Sequence, residues 1–161
     1  MDIIAIIVPI CAVIALVVAY ALASWIGKLD EGTDRMKDIS GYIRVGAMAF
    51  LKREYRYMAV VIAIIFLVLG IFINWITAGL YVFGAVFSVL AGYFGMSVAT
   101  MGNVRTANAA RTGSMPKALK VAFRSGAVMG LCVVGLGVLG LGIIFVAMGV
   151  DSADVITGFG L

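Results

Sequence analysis

The residues best equipped for chemistry lie between Gly92 and Gly130, where Asn103, Arg105, Asn108, Arg111, Lys117, Lys120 and Arg124 follow one another with no acid among them. Guanidinium, ammonium and amide groups bind anions. The tightest cluster, Asn103, Arg105, Thr106 and Arg111, could therefore attract an anionic substrate such as phosphate. The plainer reading, preferred on the sequence alone, is a basic anchor touching lipid headgroups.

The groups that would complete an active site are missing from the same stretch. The eight acids are Asp2, Asp30, Glu31, Asp34, Asp38, Glu54, Asp151 and Asp154, and none falls well inside an apolar run. An intramembrane carboxylate marks proton relays and coupled exporters. Its absence argues against a proton-relay rotor subunit and against a small four-helix multidrug exporter. No carboxylates are paired at a spacing that would hold a metal–phosphate complex. There is no histidine, and Cys11 and Cys132 both sit in apolar runs, where each reads as a small packing residue rather than a ligand. Gly135-Leu-Gly137-Val-Leu-Gly140 matches GxGxxG. That fingerprint needs a preceding strand and a phosphate at a helix start, whereas these glycines lie mid-run and read as helix-packing positions. The sequence thus assigns no catalytic, cofactor-binding or metal-binding residue.

The elements carrying these residues are membrane helices. The chain is 64% hydrophobic and 12% charged, against about 45–50% and about 25% in soluble domains. The net charge of +4 does not indicate nucleic acid, because the cations lie between apolar runs rather than on a soluble face. Four spans are expected, at about 3–27, 58–79, 80–101 and 126–149, giving an all-α fold. About 20 apolar residues cross a bilayer, and the first run is too long and too poorly flanked by basic residues for a signal peptide. Pro9 is a candidate bend in it. Cytoplasmic loops are expected at about 28–57 and 102–125. In the first, Gly32 reads as a turn. Met36, Ile39, Ile43, Ala47, Phe50 and Leu51 then repeat at helical spacing, giving an amphipathic helix that either continues into the next span or lies on the lipid surface. The short outer turn lies within NWITAGLY. In the third span Gly84, Ser88 and Gly92 recur every four residues, as do Ala91 and Gly95, a spacing that lets helices approach closely. Ser114-Met115-Pro116 reads as the start of the fourth helix.

All twelve Lys and Arg fall in two segments, seven between Lys28 and Arg56 and five between Arg105 and Arg124. By the positive-inside rule both segments face the cytoplasm and both termini lie outside.

Several separated motifs are familiar in this order: EGTDRM, IRVGAMAFLKREY (43–55), AGYFGMSVATMGNVRTANAAR (91–111) and ALKVAFRSGAVMGL (118–131). Together they resemble the N-terminal part of the membrane-bound inorganic pyrophosphatases that translocate protons or sodium. Val45 departs from the Glu that many members carry there. The resemblance implies a pump of roughly sixteen helices in two concentric rings, working as a homodimer in a prokaryotic cell membrane. It implies pyrophosphate as substrate, magnesium as cofactor, and potassium or sodium as an activator. In the family the acid-rich catalytic motifs follow a Gly-Phe-Gly like Gly158-Phe159-Gly160, so no catalytic residue carries over. The chain then resembles outer-ring helices, a structural fragment inactive in isolation whose partners are the bilayer and the remaining helices. The alternative is a non-enzymatic four-helix scaffold or accessory subunit.

Overall fold

The structure is a computed structural model that describes residues 3–113, 115–149 and 153–161. It is built from α1 (Ile3–Gly27), α2 (Asp34–Phe72), α3 (Trp75–Arg111), α4 (Met115–Met148) and the short α5 (Ala153–Gly160). Helices α1 to α4 are each long and apolar enough to cross a membrane. Helix α4 packs between α1 and α3, α2 packs on the far side of α3, and α5 returns onto α3.

The three later long helices overshoot the bilayer. Helix α2 has 39 residues, α3 has 37 and α4 has 34. At about 1.5 Å per residue each exceeds 50 Å, whereas the hydrocarbon core is about 30 Å thick. The excess carries the charges of the two basic segments, so all three helices project from the same face. The expected 102–125 loop is therefore mostly helix. Helix α3 runs on to Arg111, and the turn shrinks to Thr112 and Gly113 with the residue before Met115. Gly113, at φ 85, reverses the chain there. The expected cap, Ser114, lies outside the described residues, while Pro116 does fall in the first turn of α4. The 34–57 segment is continuous with the second span, as one of the two readings had it. Its apolar stripe is only half covered. Leu51 is buried, but Ile39, Ile43 and Phe50 remain exposed, and a recess of about 230 Å³ lined by Met36, Ile43, Asn103 and Ala107 separates it from α3.

The opposite turn falls earlier than expected. The spans were divided at Gly79 and Leu80, but α2 ends at Phe72 and α3 begins at Trp75. The reason is local. Asn74 is an N-cap whose Oδ1 accepts from the Thr77 N–H at 2.7 Å, satisfying an otherwise unpaired donor. Trp75 then lies against Gly70 and edge-on to Phe66, with ring centroids 5.9 Å apart. Leu69, Ala78 and Tyr81 form the core of this hairpin, and Tyr55 Oη donates to the Val89 carbonyl at 3.0 Å further along.

Between apolar helices in lipid there is no hydrophobic gain from contact, so close van der Waals packing by small residues carries the association. The glycine stripes divide their work. Gly95 and Gly102 face α4, against Met129 and Ser125, whereas Gly84 faces α5. From α4, Gly135 meets Leu16 and the Ala12 carbonyl of α1, and Gly142 meets Pro9. Helix α1 stays continuous through Pro9. The second core cluster, Ala19, Ile26, Val98, Val128 and Cys132, lies where α1, α3 and α4 meet. Cys132 packs as expected, but Cys11 does not. It is exposed on the outer side of α1.

The GxGxxG glycines are packing positions in two cases of three. Gly135 abuts α1 and Gly140 abuts the Phe159 ring, but nothing lies within 4 Å of a methyl group placed at Gly137. Gly137→Ala is therefore expected to leave thermal stability in detergent within about 0.5 kcal/mol of wild type. Gly140→Ala should lose about 1–3 kcal/mol through overpacking. Equal losses in unfolding assays of the two variants would refute this division.

Candidate functional site

The buried polar chemistry gathers where α3 leaves the membrane. Helix α1 ends at Gly27, and the chain turns through Lys28–Thr33 before α2 begins. Two local devices shape the turn. The Gly32 N–H donates to Asp30 Oδ1 at 3.1 Å, and Thr33 caps α2 by accepting from Met36 N–H. Gly32 has φ 89, and a methyl group there would lie 2.8 Å from Asn108 Oδ1 and from Met36 Sδ. Only glycine meets both demands.

Onto this turn α3 lays Arg105, 7% exposed. Its Nε donates to the Leu29 carbonyl at 3.0 Å, one terminal nitrogen to Met101 O at 2.9 Å, and the other to Gly27 O at 3.1 Å. The last nitrogen also pairs with Glu31 Oε1 at 2.9 Å. One helical turn on, Asn108 donates to both the carbonyl and the carboxylate of Asp30 at 3.2 Å. Asn108 Oδ1 in turn accepts from Arg111 at 3.1 and 3.3 Å. The carbonyls that end α1 have no intrahelical partner, and Arg105 supplies one. A planar guanidinium can address several acceptors at once, which a lysine ammonium on a flexible stem cannot.

The four residues of the expected cluster therefore separate. Arg105 and Arg111 join one network, and Asn108 lies between them. Asn103 is exposed on the side facing α2, and Thr106 takes no part. Arg105 is neither a headgroup anchor nor a free anion receptor, since backbone and carboxylate oxygens hold all three of its nitrogens. Sequence reasoning missed its partners, Asp30 and Glu31. The available signal was that the acid-rich KLDEGTD segment and the acid-free 103–124 segment both fall on the basic side.

Asp30 is held below the ordinary carboxylate range. The largest cause is the Gly32 backbone N–H; desolvation opposes it, and the Asn108 amide with nearby Lys37 and Arg111 adds to the lowering. A lowered folded pKa means the contribution is complete above the unfolded value and lost as pH falls through the folded one. Hydrogen exchange at the Gly32 amide, read against a neighbouring exposed amide to remove intrinsic pH dependence, is thus expected to keep constant protection from neutral pH to about pH 4. Protection that faded between pH 7 and 5 would contradict the assignment.

Among the described residues, no group of three or more His, Cys, Asp or Glu could hold a metal ion. A recess of about 530 Å³ between α2, α3, α4 and α5 is lined by Met58, Tyr81, Gly84, Ser88, Leu136 and Phe159 among others. It offers hydroxyls and backbone but no charge.

Four bilayer-length helices, locked at one end by a buried arginine, define a multi-pass integral membrane protein. The family model described as Inorganic H+ pyrophosphatase matches residues 13–161, and the chain belongs to that family. A protein of Clostridium tetani named "Putative K(+)-stimulated pyrophosphate-energized sodium pump" is 52% identical over 152 residues, 94% of this chain and 22% of that protein. The K(+)-insensitive pyrophosphate-energized proton pump of Methanosarcina mazei is 43% identical, with 94% of this chain and 22% of that protein covered. The K(+)-stimulated pyrophosphate-energized sodium pump of Thermotoga maritima is 40% identical, with 91% and 21% covered. The chain spans about a fifth of the length of these relatives.

Proposed function

We propose that this chain is a structural portion of a pump that couples magnesium-dependent pyrophosphate hydrolysis to outward movement of protons or sodium ions. Its helices would lie in the outer ring of a larger, homodimeric helical assembly. Both basic segments would face the cytoplasm and both termini the outside of a prokaryotic cell membrane. Relatives named as K(+)-stimulated and K(+)-insensitive are both among the matches, so potassium remains an optional activator in this reading. The observation that carries the structural role is the Arg105 network. The most buried cation of the basic region is spent on the α1–α2 turn, which leaves it unavailable to pyrophosphate.

The role is tested by complementation. The 161-residue chain and the remainder of a pump of this family are expressed separately and together, and magnesium-dependent release of phosphate from pyrophosphate is measured in membranes. Neither part alone should hydrolyse pyrophosphate, and the pair should. Hydrolysis by the purified 161-residue chain would overturn the structural role.

A further inference from the structure

We infer that the seam between α1 and α4, at the basic end, is a docking site for an anionic phospholipid. This goes beyond the pump reading and does not depend on it. The two helices run antiparallel, with Pro9 against Gly142, Leu16 against Gly135, and Trp25 under Arg124. The guanidinium carbon of Arg124 sits 4.1 Å from the Trp25 ring centroid, a cation–π distance. Lys28 follows three residues after Trp25, just past the end of α1. Lys117, Lys120 and Arg124 are three and four residues apart, which puts them on one face of α4. Lys28, Lys117 and Lys120 are exposed, and among the described residues none of them has an ion-pair partner.

Neither α1 nor α4 contains an acidic residue. The nearest carboxylates, Asp30 and Glu31, are turned toward α3 by Asn108 and Arg105. The result is three cations on one face of α4 with no carboxylate on their own helix to neutralise them, and Lys28 just past the end of α1 in a turn whose acids are engaged by α3. A free anion would need only these charges. A lipid would also need apolar surface below them, and it is present. Leu22, Ala23 and Leu131 border the α1–α4 core just below Trp25, while Leu119 and Phe123 stand exposed beside the lysines. Tryptophan favours the headgroup level of a bilayer. Basic pockets between membrane helices bind anionic headgroups, each cation adding to the attraction. Arg124, fixed over Trp25, can still direct N–H groups at a phosphate.

The test uses the full-length protein in neutral detergent, with lipid retention followed by native mass spectrometry. The probes are phosphatidylglycerol, phosphatidylcholine and inorganic phosphate. Wild type is expected to prefer phosphatidylglycerol over phosphatidylcholine by about tenfold or more. The K28Q/K117Q/K120Q variant should lose that preference. K28R/K117R/K120R should keep it, as should a control with three charges removed from α2, K37Q/K52Q/R53Q. All substituted positions are exposed, and circular dichroism checks folding of each variant. The proposal fails if wild type shows no preference, if the α1–α4 glutamine variant retains it, or if the α2 control loses it equally. Displacement of the lipid by millimolar inorganic phosphate would instead make the rim a site for the free ion and would also overturn it.

Discussion

Replacing Arg105 with leucine is expected to open the α1–α2 turn to protease while leaving the four spans inserted. The substitution fills a similar volume but strips partners from the carbonyls of Gly27 and Leu29 and from Glu31. Buried acceptors left without a donor cost roughly 1–3 kcal/mol each. Glu31 is 40% exposed, and water will take up much of its loss. A total near 3 kcal/mol is therefore expected. Loss of that size raises the open population of the turn by roughly a hundredfold, since about 1.4 kcal/mol is tenfold. Trypsin should then cut after Lys28 and Arg35 far faster than in wild type. Arg105→Lys keeps the charge but cannot reach three carbonyls and a carboxylate together, so it should recover only a minority of the loss. Glu31→Gln should cost about 1 kcal/mol or less. If Arg105→Lys matched wild type in cleavage rate, charge rather than fork geometry would be what holds the turn.

Gly84→Val is expected to release α5 from the bundle. Phe159 lies so close to Gly84 that a methyl group there would overlap its backbone carbonyl, and a methyl on Gly158 would lie 2.6 Å from the Thr77 carbonyl. The contact is backbone against backbone on both sides, so no side chain can rotate away to make room. Overpacking of this kind costs about 1–3 kcal/mol, occasionally more. Helix α5 has only 8 residues, too few to persist without tertiary support. Undocking should therefore unfold it. Hydrogen exchange is expected to show loss of protection across 156–160, with α1 and α4 unchanged where they meet at Gly135 and Gly142. Gly79→Val, where a methyl group would meet nothing within 4 Å, is the matched control. Equal deprotection in both variants would show that valine disturbs α3 itself rather than the α3–α5 contact.

Both predictions rest on contacts that the sequence did not display, yet much of the architecture was legible in it. Apolar runs of bilayer length fixed four spans, because a helix is the arrangement that satisfies its backbone hydrogen bonds within a single segment in lipid. The confinement of all twelve Lys and Arg to two segments put those segments on one side. The motifs from EGTDRM to ALKVAFRSGAVMGL were dense enough to show the family. The amphipathic 36–51 stretch and the turn at Gly32 were also readable, since helical spacing and glycine are local signals.

The helix ends were not. Asn74 sits within a run of uncharged residues, and hydropathy does not distinguish a capping asparagine from a tolerated one. The division of the second and third spans therefore fell several residues late. Charge likewise made 102–125 look like a loop, although helices can continue past the membrane surface wherever residues such as Ala, Arg and Lys favour them. What only the tertiary structure decided is partnership. Sequence shows that Gly84, Gly95, Gly135 and Gly140 can be approached closely, but the neighbour that approaches each depends on helix rotation and register. In the same way Arg105 and Arg111 look equivalent in the chain. Burial against the end of α1 turned the first into a clamp on Gly27, Leu29 and Glu31, while the second stayed exposed beside Asn108. The unpaired carbonyls at the end of α1 become costly only once α3 shields them from water, so no single segment of the sequence could announce which arginine would meet them.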